Sequence, residues 1–220
     1  MSRFPIPKNI VLTYFNIPAR AEAIRIALRA ANIPFTDKKI EFSQWPTVKP
    51  TIQPWQQLPV FEADGVTIHQ SWNILLYVGK FTNLVPAEVN EEFRMNEIFF
   101  ACEDLLSALN SIPAKTAEEK IAARSSLCAA GGKVHVQLQK IENFLGDREF
   151  VAGNIFTVGD CALFATLGNF ISGFFDGIPA TLLDDFPRLA AYHQRIAARP
   201  DVAKGYETDT RAWVKGFRVN

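Results

Sequence analysis

Apolar positions change their period along this chain, and the change divides it. Ile10 to Phe15, IVLTYF, is a β-branched and aromatic run that predicts a strand. Asn16-Ile17-Pro18 breaks it. From Arg20 onward Ile24, Ala27, Leu28 and Ala31 recur at helical spacing, and Ile33-Pro34 ends that helix. Phe35 to Phe42 alternates weakly and predicts a second strand, with Lys38 and Lys39 partly exposed. Ser43 is placed to cap a short helical or irregular piece through Val48, after which Pro50 and Pro54 keep the connection broken. Leu58 to Ser71, LPVFEADGVTIHQS, then reads as strand, turn, strand and helix start. Pro59 opens the first strand, where a missing N–H is tolerated. Asp64-Gly65 is a strong hairpin signal, Val66 to Ile68 return, and Ser71 stands as the N-cap of a helix reaching Lys80. The order β-α-β-(α)-β-β-α combines a parallel crossover with an antiparallel hairpin, a thioredoxin-like order.

Beyond Thr82 the strand signals stop. Asn83 to Asn90 is linker-like. Phe93, Ile98, Cys102, Leu105 and Leu109 form a long helical stripe. Pro113 and Thr116 bound a next helix whose later face is Val134, Leu138, Ile141 and Leu145, weakened by Gly131-Gly132 at a close-packing point or bend. Thr157 and Asp160 make a capping box before CALFATLG, a run apolar on every side and therefore a buried helix. Pro187 to Arg199 is the last clear helix. The expected architecture is a thioredoxin-like α/β domain at 1–82 followed by an all-helical domain at 83–220.

Composition narrows the function classes. The 220 residues are 48% hydrophobic with zero formal charge, which supports a real core and offers no basic excess to a nucleic-acid backbone or a membrane surface. No apolar run approaches the ~20 residues of a membrane span. The start, MSRFPIPKN, lacks the apolar core of a signal peptide. Three irregularly spaced cysteines make neither a disulfide framework nor a zinc site, so the expectation is a cytoplasmic protein with reduced thiols. All three lie at Cys102 or later. A thioredoxin-like half acting as a thiol–disulfide enzyme would need its own cysteine, so any thiol handled there belongs to a ligand.

The string LP-V, D-G, QS before a helix resembles the glutathione site of the glutathione transferase superfamily, and TYFNIPARAE, Thr13 to Glu22, resembles the catalytic segment of its sigma class. The string from Gly153 to Asp160 resembles that family's second domain, so the likeness covers nearly the whole chain. Taken alone, Tyr14 is a core aromatic or a ligand-facing residue at a strand end, and Arg20 a solvated or salt-bridged arginine in the first helical turn, where it opposes the helix dipole. The resemblance implies that Tyr14 donates a hydrogen bond to the glutathione sulfur and that Arg20 adds a fixed positive charge beside it.

By the same resemblance Trp45 and Lys49 hold the glycyl end of glutathione, Leu58 pairs with its cysteinyl part through the main chain before a cis Pro59, and Gln70 and Ser71 hold the γ-glutamyl carboxylate. Gln57 stands where many sigma enzymes have lysine, which removes one positive contact. Asp104 matches an aspartate that reaches the neighbouring subunit's site, implying a homodimer; a solvated surface acid is the plain alternative. His69 is read as structural. Phe15, Ile17, Pro18, Leu106, Ala162 and Thr166 are the expected electrophile pocket, with Pro18-Ala19 making its wall stiff and apolar and favouring aromatic or lipid-derived electrophiles over charged ones. Phe100 replaces the acid that holds a metal in the prostaglandin synthases of this class, and Ser111 replaces their pocket tryptophan, so no metal is expected and that substrate is not favoured. The expected activity is conjugation of the glutathione thiolate to small hydrophobic electrophiles. A glutathione-dependent isomerase and a non-catalytic ligand-binding or S-crystallin-like protein are the alternatives.

Overall fold

The computed structural model describes residues 4–219. The chain forms two compact units that meet in sequence between Val85 and Pro86. The first is built on a four-stranded sheet of order β2-β1-β3-β4. Strand β1 (Ile10–Phe15) runs parallel to β2 (Thr36–Ile40), with Leu12 opposite Asp37 and Tyr14 opposite Lys39. It is antiparallel to β3 (Val60–Ala63), with Leu12 opposite Phe61, and β3 pairs with β4 (Val66–His69). Asp64 and Gly65 take φ of 46° and 84° at the hairpin, the left-handed pair that its twist demands.

Leu12 and Phe61, both fully buried, mark the apolar face of the sheet. Two helices cover it. Arg25 of α1 (Glu22–Ala30) reaches Asp37 on that face, and Tyr77 of α3 (Ser71–Thr82) packs edge-on against Phe61. Between β2 and β3 the chain makes a 3-10 turn (Phe42–Gln44), the four-residue α2 (Trp45–Val48) and a second 3-10 turn (Lys49–Thr51).

Several boundaries differ from the sequence reading. The residues from Ala19 to Ala21 form a 3-10 turn, so Arg20 precedes α1 and does not occupy its first turn. Glu41, not Ser43, caps the piece after β2: its carboxylate and the Gln44 side chain each bind the other's main chain. Ser71 is the first helical residue of α3, and Gln70 takes the cap position at φ 69° without a side-chain cap. A non-glycine residue held at positive φ costs of order 1–3 kcal/mol and persists where its surroundings require it.

The second unit is helical. Its long α4 (Val89–Asn110) buries Met95, Ile98, Phe99, Cys102, Leu105, Leu106 and Leu109. Phe93, expected on this stripe, is 68% exposed; it lies five residues before Ile98, nearly half a turn out of phase. The next helix is two helices, α5 (Ala117–Cys128) and α6 (Lys133–Leu145). The glycines end one and start the other: Gly131 sits at φ 79°, and a Cβ on Gly132 would lie 2.4 Å from the Leu127 carbonyl oxygen. Helix α5 starts on a capping box of Thr116 and Glu119. Helix α7 (Val158–Ile171) is buried along all 14 residues and packs against α4. Its capping box forms as expected. Asp160 accepts from Thr157 N and Oγ1, from Val151 N at 2.8 Å and from Tyr192 Oη at 2.9 Å. Those four donors offset the burial that pushes its carboxyl pKa up.

Helices α8 (Pro187–Ala197) and α9 (Pro200–Ala203) lead to a terminal 3-10 segment (Ala212–Phe217) that lies against α7. There a Cβ on Gly168 would come within 2.6 Å of the Phe217 ring. His193 of α8 donates from Nε2 to the Gly216 carbonyl at 3.0 Å, and its ring tilts over Phe164. Burial lowers its pKa to about 4. The folded protein therefore keeps this ring neutral while the unfolded chain takes up a proton near pH 6.5. Its contribution is fully present above pH 6.5 and is lost as pH falls toward 4, about 3 kcal/mol in all. Urea unfolding at pH 7 and pH 4.5 reads the loss; His193→Gln, which keeps a donor without titrating, should flatten the slope. An unchanged slope would remove His193 as its source.

Candidate active site

The end of β1 carries Tyr14 into a turn that the sequence makes rigid. Pro18 and the 3-10 turn after it fold the chain back so that the Arg20 main-chain N–H donates to the Tyr14 hydroxyl oxygen at 3.4 Å. That bond occupies an acceptor site on the phenol and leaves its proton to be donated. Burial, the largest influence, raises the Tyr14 pKa above 10, although the Arg20 N–H and the charges of Arg20 and Arg25 act against it. Tyr14 is thus a neutral donor across the physiological range.

Arg25 organises the turn, and the sequence reading missed it. It is buried, with Nη1 donating to the Ile17 carbonyl at 2.8 Å and to Glu22 at 3.0 Å, and Nε to Asp37 at 3.1 Å. Longer contacts reach the carbonyls of Phe15 and Pro18 at 3.5 Å. Its guanidinium lies 5.9 Å from the centre of the Tyr14 ring. Glu22 and Arg25, three residues apart on one helix, are a pairing that spacing could have revealed. Its long-range targets in the loop were not legible.

Strand register gathers further candidates. Thr13 pairs with Val60 and Val60 with His69. Thr13, Val60 and His69 thus lie in a row at one end of the sheet, and Tyr14, Pro59 and Gln70 are their neighbours along the chain. The Leu58–Pro59 bond is cis. Gln70 Nε2 donates to Gln57 Oε1 at 3.5 Å, so these two amides lie together beside the uncapped start of α3, where Ser71 is buried. An uncapped helix start offers N–H groups and a positive dipole end to a carboxylate.

Trp45 joins Tyr14 through Phe15, whose ring meets Trp45 edge-on at 5.4 Å and Tyr14 at 5.6 Å. Lys49, one turn on, is exposed, and Ile17 and Pro18 lie in the turn that Arg25 holds. The remaining candidates belong to the second unit. Asp104 is exposed on α4 and accepts from Gln137 at 3.5 Å. Leu106, Ala162 and Thr166 are buried, Thr166 bonding the Cys102 thiol. His69 pairs with Val60 on β4, half-buried.

All three cysteines are buried. Burial pushes Cys102 to about 12 and Cys128 to about 11, and raises Cys161 well above 9. A thiol reagent at pH 7.5 should therefore leave all three cysteines unmodified in the native protein and titrate three after denaturation. Rapid native reaction of any one would contradict that assignment. Among the described residues no group of three His, Cys, Asp or Glu side chains is placed to hold a metal, and no helix is long and apolar enough to cross a membrane.

The sequence matches the glutathione S-transferase N-terminal domain over residues 10–80 and the C-terminal domain over residues 103–208. A human protein named hematopoietic prostaglandin D synthase is 32% identical over 203 residues, covering 89% of this chain and 94% of that one. A class-mu 28 kDa glutathione S-transferase isozyme of Schistosoma japonicum is 30% identical over 200 residues, covering 83% and 96%. The solved structure of a Fasciola hepatica sigma class enzyme superposes with a TM-score of 0.80 at 25% identity, covering 92% of this chain and 97% of that one. Domain matches in both halves, whole-length relatives and a thioredoxin-like sheet followed by a helical unit agree: the chain belongs to the glutathione S-transferase family.

Proposed function

We propose that this protein is a cytoplasmic, homodimeric glutathione transferase of the sigma type that conjugates glutathione to small hydrophobic electrophiles in a detoxifying role. Residues 1–82 bind glutathione, and residues 83–220 contribute to the electrophile site and the dimer interface. Tyr14 donates to the glutathione sulfur, and Arg20 adds positive charge. Trp45 and Lys49 take the glycyl end, Leu58 and Pro59 the cysteinyl main chain, and Gln70 and Ser71 the γ-glutamyl end, with Gln57 a further glutathione contact in place of a lysine. Asp104 reaches the partner's ligand. Phe15, Ile17, Pro18, Leu106, Ala162 and Thr166 receive the electrophile.

One observation carries this reading: a phenol kept neutral by burial at the end of β1, its oxygen already bonded to the Arg20 N–H. A cysteine thiol has a pKa of ~8.5, and a hydrogen bond to its anion lowers that value. The thiolate then attacks an electrophilic carbon, its proton having gone to solvent. The test is the ultraviolet difference spectrum of bound glutathione against pH. Thiolate absorbance well below pH 8.5 supports the reading, whereas binding without it points to a ligand carrier. A glutathione-dependent isomerase is the second reading, favoured by the name of the human relative; product analysis with a prostaglandin endoperoxide separates it from a transferase.

A further inference from the structure

The sheet has a second face. Side chains alternate along a strand, so the residues next to Leu12 and Phe61 point away from α1 and α3. Register sets Lys38, Thr13, Val60 and His69 in one row across all four strands on that face. Glu62 and Thr67, opposite one another, lie on the same face in the next row. These side chains floor a cavity of about 520 Å³. Gln44, Val48, Ile52 and Gln53, from the connection between β2 and β3, line its other side. That connection is held by bonds of its own. Glu41 and Gln44 cap one another, Thr51 Oγ1 donates to the Val48 carbonyl at 2.7 Å, and Gln53 Nε2 donates to the Pro50 carbonyl at 3.0 Å. None of the residues proposed to bind glutathione lines the cavity.

The lining separates opposite charges. Lys38, with Lys39 beside it, stands on the edge strand β2, and Glu62 stands on β3. Thr13 and Val60 lie between them on the floor, and Val48 and Ile52 face the same space. His69 closes the row at β4; its Nδ1 is buried and has no hydrogen-bond partner among the described residues. We propose that this cavity binds a short zwitterionic peptide, two residues long with free amino and carboxyl ends. The carboxylate meets Lys38, the ammonium meets Glu62, and apolar side chains rest on Val48, Ile52 and Val60. Two strand spacings across and two residues along put the Lys38 and Glu62 Cα atoms ~12 Å apart. A two-residue peptide spans at most ~7 Å, and the two side chains cover the remainder. A simple anion would be opposed by Glu62, and a simple cation by the lysines. Thr13, Val60 and His69 are next along the chain to Tyr14, Pro59 and Gln70, and the connection over the cavity carries Trp45 and Lys49. Occupancy is therefore coupled to glutathione binding. The coupling rests on the transferase reading; the peptide site does not.

Titration calorimetry with L-alanyl-L-leucine, its N-acetyl derivative and its C-terminal amide tests the site. Wild type should bind the free dipeptide, and removing either charge from the peptide should weaken binding about fivefold or more. Lys38→Gln and Glu62→Gln should each weaken the free dipeptide by a similar factor. Both residues are exposed, so neither change should disturb folding. Glu62→Gln should not weaken the N-acetyl peptide further, because the ammonium that it would meet is already gone; Lys38→Gln should likewise spare the amide. Saturating dipeptide should tighten glutathione binding about fivefold or more, and glutathione should tighten the dipeptide by the same factor. Absence of saturable dipeptide binding, or binding indifferent to both substitutions, overturns the peptide site. Competition between dipeptide and glutathione also overturns it, by placing the peptide in the glutathione site. Independent binding of the two overturns the coupling alone. Failure of wild type to bind glutathione overturns the transferase reading and leaves the peptide site standing.

Discussion

Tyr14→Phe should lower turnover of glutathione with an aromatic electrophile by about 10- to 100-fold at pH 7, the range expected when a hydrogen bond to a charged group worth ~1.5–3 kcal/mol is lost. Glutathione should still bind, because the other contacts proposed for it do not pass through the phenol. The pH profile carries more information than the single rate. With the donor removed, the bound thiol should ionise about one to two units higher. Mutant and wild-type rates should therefore converge as pH rises toward 9. Burial keeps the wild-type phenol protonated over this whole interval. The Arg20 N–H keeps its oxygen occupied as an acceptor, so its proton stays directed outward. A mutant as active as wild type at pH 7 would sink the role assigned to Tyr14. A mutant equally impaired at every pH would mean that Tyr14 positions the electrophile and leaves thiol ionisation to other groups.

Arg25→Ala should destabilise the protein by about 3–5 kcal/mol, the cost of breaking a buried ion pair from one side. Both side chains of the Arg25–Glu22 pair are almost fully buried, at 4% and 1% exposure. Removing the guanidinium takes the closer of two cations from the Glu22 carboxylate, leaving Arg29 at 3.4 Å, and strips the Ile17 carbonyl of its donor. Glu22→Gln in the Arg25→Ala background should recover part of the loss by removing the stranded charge. Urea midpoints of the single and double variants form the cycle that measures this coupling. If the two changes add without interaction, the pair is not the source of the effect. Since Arg25 also binds the turn after Tyr14, the milder Arg25→Lys should shift the pKa of bound glutathione before it shifts global stability.

Much of this architecture was legible because it is local. The β-branched run of β1, the Asp64-Gly65 turn, the capping box at Thr157 and Asp160, and the all-apolar α7 each depend on neighbours within a few residues. Boundaries were less legible. Nothing between Pro18 and Glu22 states that the first turn is 3-10, since the carbonyls that select it are bound by Arg25, several residues on. The break between α5 and α6 follows from φ at Gly131 and from crowding at Gly132, and Gly-Gly in a helical pattern does not distinguish a weak helix from an interrupted one. Phe93 reads as the start of the α4 stripe, whereas the phase of that helix buries Met95 and leaves Phe93 exposed.

The sequence by itself determined the order of strands and long helices, the change from α/β to all-α and the family, and it singled out Tyr14. Each follows from short-range period or from a contiguous motif. Tertiary structure decided which groups surround that tyrosine. Strand register, a property of paired chains far apart in sequence, set Thr13, Val60 and His69 in one row, next along their chains to Tyr14, Pro59 and Gln70. Packing placed Phe42 on Phe15. A buried arginine that reads like any helical arginine became the tie of the turn after Tyr14, because desolvation makes a cation seek every acceptor in reach and only the fold says which acceptors those are.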